Sequence, residues 1–262
     1  MDIIVLIKQV PDIGEVKIDP VTNNLIRQGI PSVINPFDKN AVEEALVQKE
    51  KHGGKVTVIT MGPPQAAEAL KECIAMGCDE VVHLCDAAFG GSDTLATSKA
   101  LAGAIKKIGS YDLILCGKQA TDGDTAQVGP ETAEFLGIPQ ITYAAKLDIE
   151  NGIATVKREE DCGYHILEAR LPLMVSVTKV INEPRLPSIK GRMKANRTEV
   201  PVWKAEDLGL TRDDLGIKAS PTRVKKIFNL TQRTQGEIIR EESAQASAKR
   251  LVERLSDAGL LV

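Results

Sequence analysis

Lys55–Cys85 reads KVTVITM-GPP-QAAEALKECIAMG-CDE-VVHLC. Two strand-like, mostly apolar runs, Lys55–Met61 and Val81–Cys85, flank Pro64–Met76, whose apolar residues recur at helical spacing between a starting Pro and a stopping Gly77. A strand with no polar alternation is buried on both faces, and a helix between two such strands is the crossover of a parallel sheet. The alternation extends in both directions. Ile3–Val10 is an apolar strand, and Ala41–Val47 follows helical spacing with Val42, Ala45 and Leu46 inward. Asp93–Ile108 carries an apolar face of Ala96, Ala100, Leu101 and Ala104, Leu113–Cys116 is a short buried strand, and Gln127–Leu136 is a helix ended by Gly137. The expected fold class is α/β, a doubly wound and mainly parallel sheet.

After Pro139 the pattern changes. Thr142–Asp148, Ala154–Arg158, His165–Arg170 and Met174–Thr178 read as short strands, with turns at Asn151-Gly152 and Cys162-Gly163. These predict antiparallel additions at one sheet edge. From Asn182 the chain is rich in Pro, Lys and Arg, and Lys190–Arg197 reads as a solvated basic loop or a docking surface. Glu199–Thr234 has little periodicity, and Gln235–Leu260 reads as a terminal helix with Leu251, Val252 and Leu255 apolar. The expected division is an α/β domain over residues 1–198 and an arm over 199–262 that lies on a partner.

Composition removes several function classes. Only 3% of residues are aromatic and the formal charge is −3, which argues against base-stacking platforms and a nucleic-acid footprint. No stretch approaches the roughly 18–20 apolar residues that span a bilayer. An acid at Asp2 stands where a signal peptide carries basic residues, so a cytoplasmic location is expected. Cys73, Cys78, Cys85, Cys116 and Cys162 match no zinc spacing and suit reduced thiols. His52, His83 and His165 are scattered, with no metal site and no catalytic constellation among them.

A parallel sheet binds ligands beyond the carboxyl ends of its strands, at the switch point. The loops there are Pro11–Asn35, Gly62–Pro63, Asp86–Ser92 and Gly117–Ala126. Gly117–Gln127 (GKQATDGDTAQ) joins a strand to a helix and is neither a Walker A motif nor G-x-G-x-x-G. Two readings stand side by side: backbone N–H groups that approach an anion at a helix N-terminus, or an Asx-rich turn with Asp124 or Thr125 as N-cap. Gly90–Thr94 is a second Gly-bearing loop before a helix, and by itself it reads as a turn with a Ser or Asp cap. Asn35-Pro36-Phe37-Asp38 reads as N-cap, N1 and an exposed first-turn acid; Asp38 accepting from an adenine or ribose is the alternative.

Taken together, these residues resemble the electron transfer flavoprotein beta subunit along essentially the whole chain. The resemblance rests on Val5–Asp12 (VLIKQVPD), Asn35–Asp38, Ala41–Ala45, Met61-Gly62-Pro63, Ala75–Asp79, Gly117-Lys118-Gln119 with Asp122, and Asn182-Glu183-Pro184-Arg185. It continues at Val156–Asp161 and Leu171-Pro172, and departs at Cys162, where Gly is usual, and His165, where an acid is usual. Ala88–Ser98 and Val16–Arg27 are similar to the electron-bifurcating members.

The resemblance implies a nucleotide-binding α/β sheet paired with an alpha subunit that carries FAD. In bifurcating members beta holds a second FAD that takes a hydride from NADH. One electron then goes to ferredoxin or flavodoxin, the other through the alpha FAD to an acyl-CoA or 2-hydroxyacid dehydrogenase. In simple members beta holds AMP. The residues implied for the cofactor are Leu6, Lys8, Asn35, Asp38 and Met61, with Gly117, Lys118, Gln119, Thr121, Asp122, Gly123, Asp124, Thr125, Ala126, Gln127 and Val128. Gly90, Gly91, Ser92, Asp93 and Thr94 are read for the pyridine nucleotide, Thr97 is implied for the cofactor, and Ile189, Lys190 and Arg192 for the dehydrogenase. A universal-stress-type ATP-binding protein shares the sheet but lacks the arm.

Overall fold

The computed structural model describes residues 1–12, 31–223 and 236–261. The expected loop Pro11–Asn35, with the subtype resemblance over Val16–Arg27, falls largely outside the described residues, as does part of the stretch up to Thr234. The strands are β1 Asp2–Ile7, β2 Gln9–Pro11, β3 Ser32–Ile34, β4 Lys55–Met61, β5 Glu80–Leu84, β6 Leu113–Gly117, β7 Gln140–Glu150, β8 Ile153–Glu160, β9 Gly163–Arg170, β10 Leu173–Val177 and β11 Val202–Trp203. The helices are α1 Pro36–His52, α2 Ala67–Met76, α3 Thr94–Ile108, α4 Val128–Leu136, α5 Ile189–Arg197, α6 Gly216–Ala219 and α7 Ala244–Asp257.

Nine strands form one sheet in the order β11-β5-β4-β1-β6-β10-β7-β8-β9, while β2 and β3 form a separate antiparallel ribbon. All pairings from β11 across to β7 are parallel. Strand residues alternate between two buried layers, as the two-residue strand period requires. Ile3, Val5, Val56, Val58, Leu113 and Leu115 pack with α1 and α2 side chains such as Val42 and Leu70, whereas Ile4, Leu6, Ile59 and Ile114 pack with Ala100, Leu101 and Ala133 of α3 and α4. The chain leaves β1 toward β4 and β5, then returns to β6 on the other side of β1. The ends of β1 and β6 are therefore the switch point.

Four expectations need correction. Met174–Thr178 is not an antiparallel edge addition: β10 runs parallel between β6 and β7, and all five of its residues are buried. Its LMVSV run already had the character of a two-sided strand; within the nine-stranded sheet the antiparallel pairings are β7–β8 and β8–β9. The first strand breaks at Lys8, where the backbone turns from the sheet into the β2–β3 ribbon. Lys190–Arg197 is helical, begun by the Ser188 hydroxyl accepting from Gly191 N–H, and buried at Ala195.

The fourth concerns the arm. Residues 199–223 pack on the α/β body rather than away from it. β11 extends the sheet beside β5, and Ala205 and Leu215 are buried in the α3 layer with Leu208 and Leu210 against it. These side chains are buried one at a time from an irregular backbone, so they leave no period to read. Met1–Lys225 is one compact unit and Lys226–Val262 a second, against the expected boundary at 198/199. In the second unit α7 is capped by Ser243, and Leu251 and Val252 are about half exposed.

The Asn182–Arg185 turn is a clamp on α1. Arg185 bonds Glu43 and Glu50, Asn182 bonds the Asn40 carbonyl and Glu44, and Asn40 returns a bond to the Asn182 carbonyl. Burial raises Glu44 above the usual carboxylate range, while the Arg185 guanidinium lowers Glu50.

Candidate functional site

At the switch point three segments converge: the residues after β1, the first turn of α1 and the loop after β6. Asp38 accepts from Lys8 N–H at 2.7 Å and from Gly117 N–H at 3.0 Å, so one carboxyl group terminates both strands. Such an arrangement requires the α1 N-terminus to lie against β6. A Cβ on Gly117 would stand 2.6 Å from Phe37 Cβ and 2.7 Å from Asp38 N, so only glycine permits the approach. Asp38 is therefore buried, which corrects its reading as an exposed first-turn acid. Burial pushes its carboxyl up to about 7, against hydrogen bonds from Asn35, Lys8 and Gly117 and the Lys8 charge.

Asn35 stands at the N-cap position of α1, but its side chain does not cap. It is wholly buried, donates to Gln119 O at 2.8 Å and accepts from Thr121 N–H at 3.2 Å. Asn35 thus ties the 117–127 loop to the helix start. Lys8 Nζ, in turn, holds the Asp122 carboxylate at 2.7 Å. The capping reading of the loop also fails. Gln127 precedes α4 with no side-chain cap, and Asp124 instead accepts from Gln119 Nε2. Asp124 and Ala126 both adopt left-handed φ, near 48° and 55°, a cost that non-glycine residues bear only where surrounding contacts enforce it.

A cavity of about 560 Å³ opens at this junction. Leu6, Lys8, Asp38, Met61, Ser92, Asp93, Thr94, Thr97, Gly117, Lys118, Gln119, Gly123, Thr125, Ala126, Gln127 and Val128 line it. Asn35, Thr121, Asp122 and Asp124 are outside the lining and fix the loop through their hydrogen bonds. Ile7, Leu101, Cys116, Ala120, Gly129 and Thr222 also line the cavity and were missed. Ile7 and Cys116 could have been found as strand ends; Thr222 carried no signal. Lys118 directs its ammonium over the Tyr143 ring at 4.8 Å.

A second cavity, about 990 Å³, adjoins the first, with Met61 and Ser92 in both walls. Gly90 and Gly91 line this second space, together with Asp86, Lys204 and Arg212. Asp86 accepts from Ala88 and Ala205 N–H groups, and these bonds hold its carboxyl below the usual range. Asp93 caps α3 through Ala96 N–H, as one sequence reading expects, and also binds Thr222. Gly91 has φ near +75°, and a Cβ there would meet Ile217 Cβ at 3.3 Å. Its glycine is required by the turn itself, so a bulky residue at 91 would disturb the fold and report nothing clean about a ligand.

On the surface, Leu186, Ile189 and Met193 expose their side chains, Ile189 to 83%, with Lys190 and Arg192 beside them. Among the described residues no group of three or more His, Cys, Asp or Glu is placed to hold a metal ion. No described helix is long and apolar enough to cross a membrane.

The family model for the electron transfer flavoprotein domain matches residues 22–208. The chain is 52% identical to the electron transfer flavoprotein subunit beta of Thermoanaerobacterium thermosaccharolyticum, over 98% of both chains. It is 50% identical to the subunit of the same name in Clostridium acetobutylicum, over 95% of both. It is 46% identical to the caffeyl-CoA reductase-Etf complex subunit CarD of Acetobacterium woodii, over the full length of both.

Proposed function

Since this chain belongs to the electron transfer flavoprotein family, as a beta subunit, we propose that it pairs with an alpha subunit and holds FAD in the switch-point cavity. NADH docks in the adjoining space. Electrons leave by two routes, to a ferredoxin or flavodoxin and, through the alpha-subunit FAD, to an acyl-CoA or 2-hydroxyacid dehydrogenase. The relative named for a caffeyl-CoA reductase complex supports the acyl-CoA class.

The observation that carries the reading is the pair of adjoining cavities with Met61 and Ser92 in a common wall. A structural AMP needs only one of them; a donor and an acceptor need two spaces in contact. When bound, FAD supplies acceptance of a hydride and release of single electrons. The residues of this chain do the holding. Residues of the 117–128 loop line the cavity at the start of α4, where a phosphate is favoured by the helix N-terminus. Lys204 and Arg212 stand along the adjoining space with Asp86 and Glu206, two cations beside two acids. Purification with alpha and a count of released cofactors tests this directly. Two flavins and no AMP per heterodimer are expected; one flavin with one AMP would leave the simple, scaffolding reading.

Dehydrogenase docking belongs to the exposed apolar group around Ile189. The Arg185 clamp and the flanking Pro184 and Pro187 limit the freedom of this turn before contact. Because Ile189 is exposed, Ile189→Ala is expected to leave thermal unfolding unchanged. Transfer to the dehydrogenase should weaken by about 1–2 kcal/mol, the scale of a modest anchor residue. Unaltered transfer in a steady-state assay would remove this surface from the docking site.

A further inference from the structure

Lys8 stands between two carboxylates. Its backbone N–H is bound by Asp38, and its ammonium is bound by Asp122 at 2.7 Å. Asp122, outside the lining, takes up the Lys8 charge, so an ionised Asp38 leaves a net negative charge on this side of the cavity. An anionic ligand is repelled by such a wall unless one carboxylate gives up its charge. Asp122 is partly exposed and paired directly with the ammonium, so it is the poor candidate. Asp38 is buried, touches the Lys8 charge only indirectly, and lines the cavity. Each Asp38 oxygen accepts one backbone N–H, which uses one lone pair on each. With the third bond from Asn35, three of the four lone pairs are taken, so a proton enters at the one that remains and supplies an O–H donor.

We propose that Asp38 receives the occupant of this cavity as the neutral acid, so that docking of an anionic nucleotide takes up a proton at Asp38. The inference rests on the nucleotide reading above and extends it to the charge state of the site. The groups that face Asp38 support the choice of titrating residue. Lys8 at the end of β1 favours the ionised form. Cys116 of β6 and Cys73 of α2 are buried thiols pushed upward by burial, and both stay neutral. Lys39 on α1 is spent on Glu72 of α2 at 2.7 Å, and Lys118 lies over Tyr143. In the loop Asp122 is held by Lys8, and Asp124 by Gln119. Burial has already brought Asp38 up to about 7, where a small electrostatic push decides its protonation.

The sign follows from linkage. An anion in the cavity raises the proton affinity of Asp38, so the bound state holds more protons than the free state, and affinity falls as pH rises from about 7. The limit for one full proton is about tenfold in affinity per pH unit. Calorimetry of the nucleotide-stripped full chain, titrated with FAD and with ADP in two buffers of different ionisation heat at about pH 8, measures the uptake directly. In infrared difference spectra the wild type should gain the C=O stretch of a protonated carboxylic acid on binding. Asp38→Asn should bind with no uptake and no new band, and with an affinity that no longer falls with pH. The infrared measurement needs only the wild type, and so stands even if the variant does not fold. FAD or ADP binding to wild type without proton uptake or without the new band, or uptake that persists in Asp38→Asn, would overturn the inference alone. If neither nucleotide binds the wild type, the nucleotide reading falls and this one with it.

Discussion

Gly123→Val is expected to fold like the wild type and to lose its bound nucleotide on purification. No protein atom lies within 4 Å of the position a Cβ would take at Gly123, and the backbone there is not left-handed. The new side chain therefore meets no neighbour in the protein, while it stands in the lining of the 560 Å³ cavity. Extra methyl groups forced into an occupied space cost about 1–3 kcal/mol, which corresponds to about a fivefold to 150-fold loss of affinity. Gly117 does not offer the same test. Its Cβ would strike Phe37 and the Asp38 backbone, so a Gly117 variant loses the strand-end junction itself. The measurement is the nucleotide content of purified protein beside its melting temperature. A variant with wild-type melting and full nucleotide content would mean that the ligand does not lie against the 117–128 loop.

The parts of this architecture that sequence made legible are those where a physical constraint is local. Lys55–Met61 is a strand from end to end, because the β-branched run Val56–Thr60 is buried on both faces. Gly77 and Gly137 stop α2 and α4 where a glycine of positive φ follows the last turn. Asn35 and Asp38 show the converse. Residues of cap type before a helix have an obvious local role, but their partners here lie 84, 86 and 79 positions away. Nothing in the neighbouring residues announces such a partner. The place of the loop after β6, between a strand and a helix, put it at the switch point, and it lines the cavity there. The Asn35 and Lys8 bonds that fix its shape were not identifiable, since they exist only once the strands are ordered around the switch point.

Truncation separates the two units sharply. A chain ending at Lys225 is expected to keep the cooperative unfolding of the α/β body, whereas one ending at Thr198 is expected to lose a large share of its stability. The shorter chain gives up β11, and with it the bonds from His83 N–H to Pro201 O and from Cys85 N–H to Trp203 O that close the β5 edge. It also uncovers the α3 layer, because Leu215 is 2% exposed and Leu208, Leu210 and Trp203 pack there. Full burial of one such side chain contributes about 1.5–3 kcal/mol. One fully buried and three partly buried residues together place the loss at about 3–6 kcal/mol, against a total of about 5–15 kcal/mol for a typical domain. The second cavity would lose the Lys204, Ala205 and Arg212 side of its wall at the same time. Urea unfolding of the two truncated chains is the check, with co-purification on alpha as a second readout. Equal midpoints would return residues 199–223 to the status of a free arm. A stable chain ending at Lys225 that no longer holds alpha would instead assign the subunit contact to residues 226–262, where α7 carries its half-exposed Leu251 and Val252.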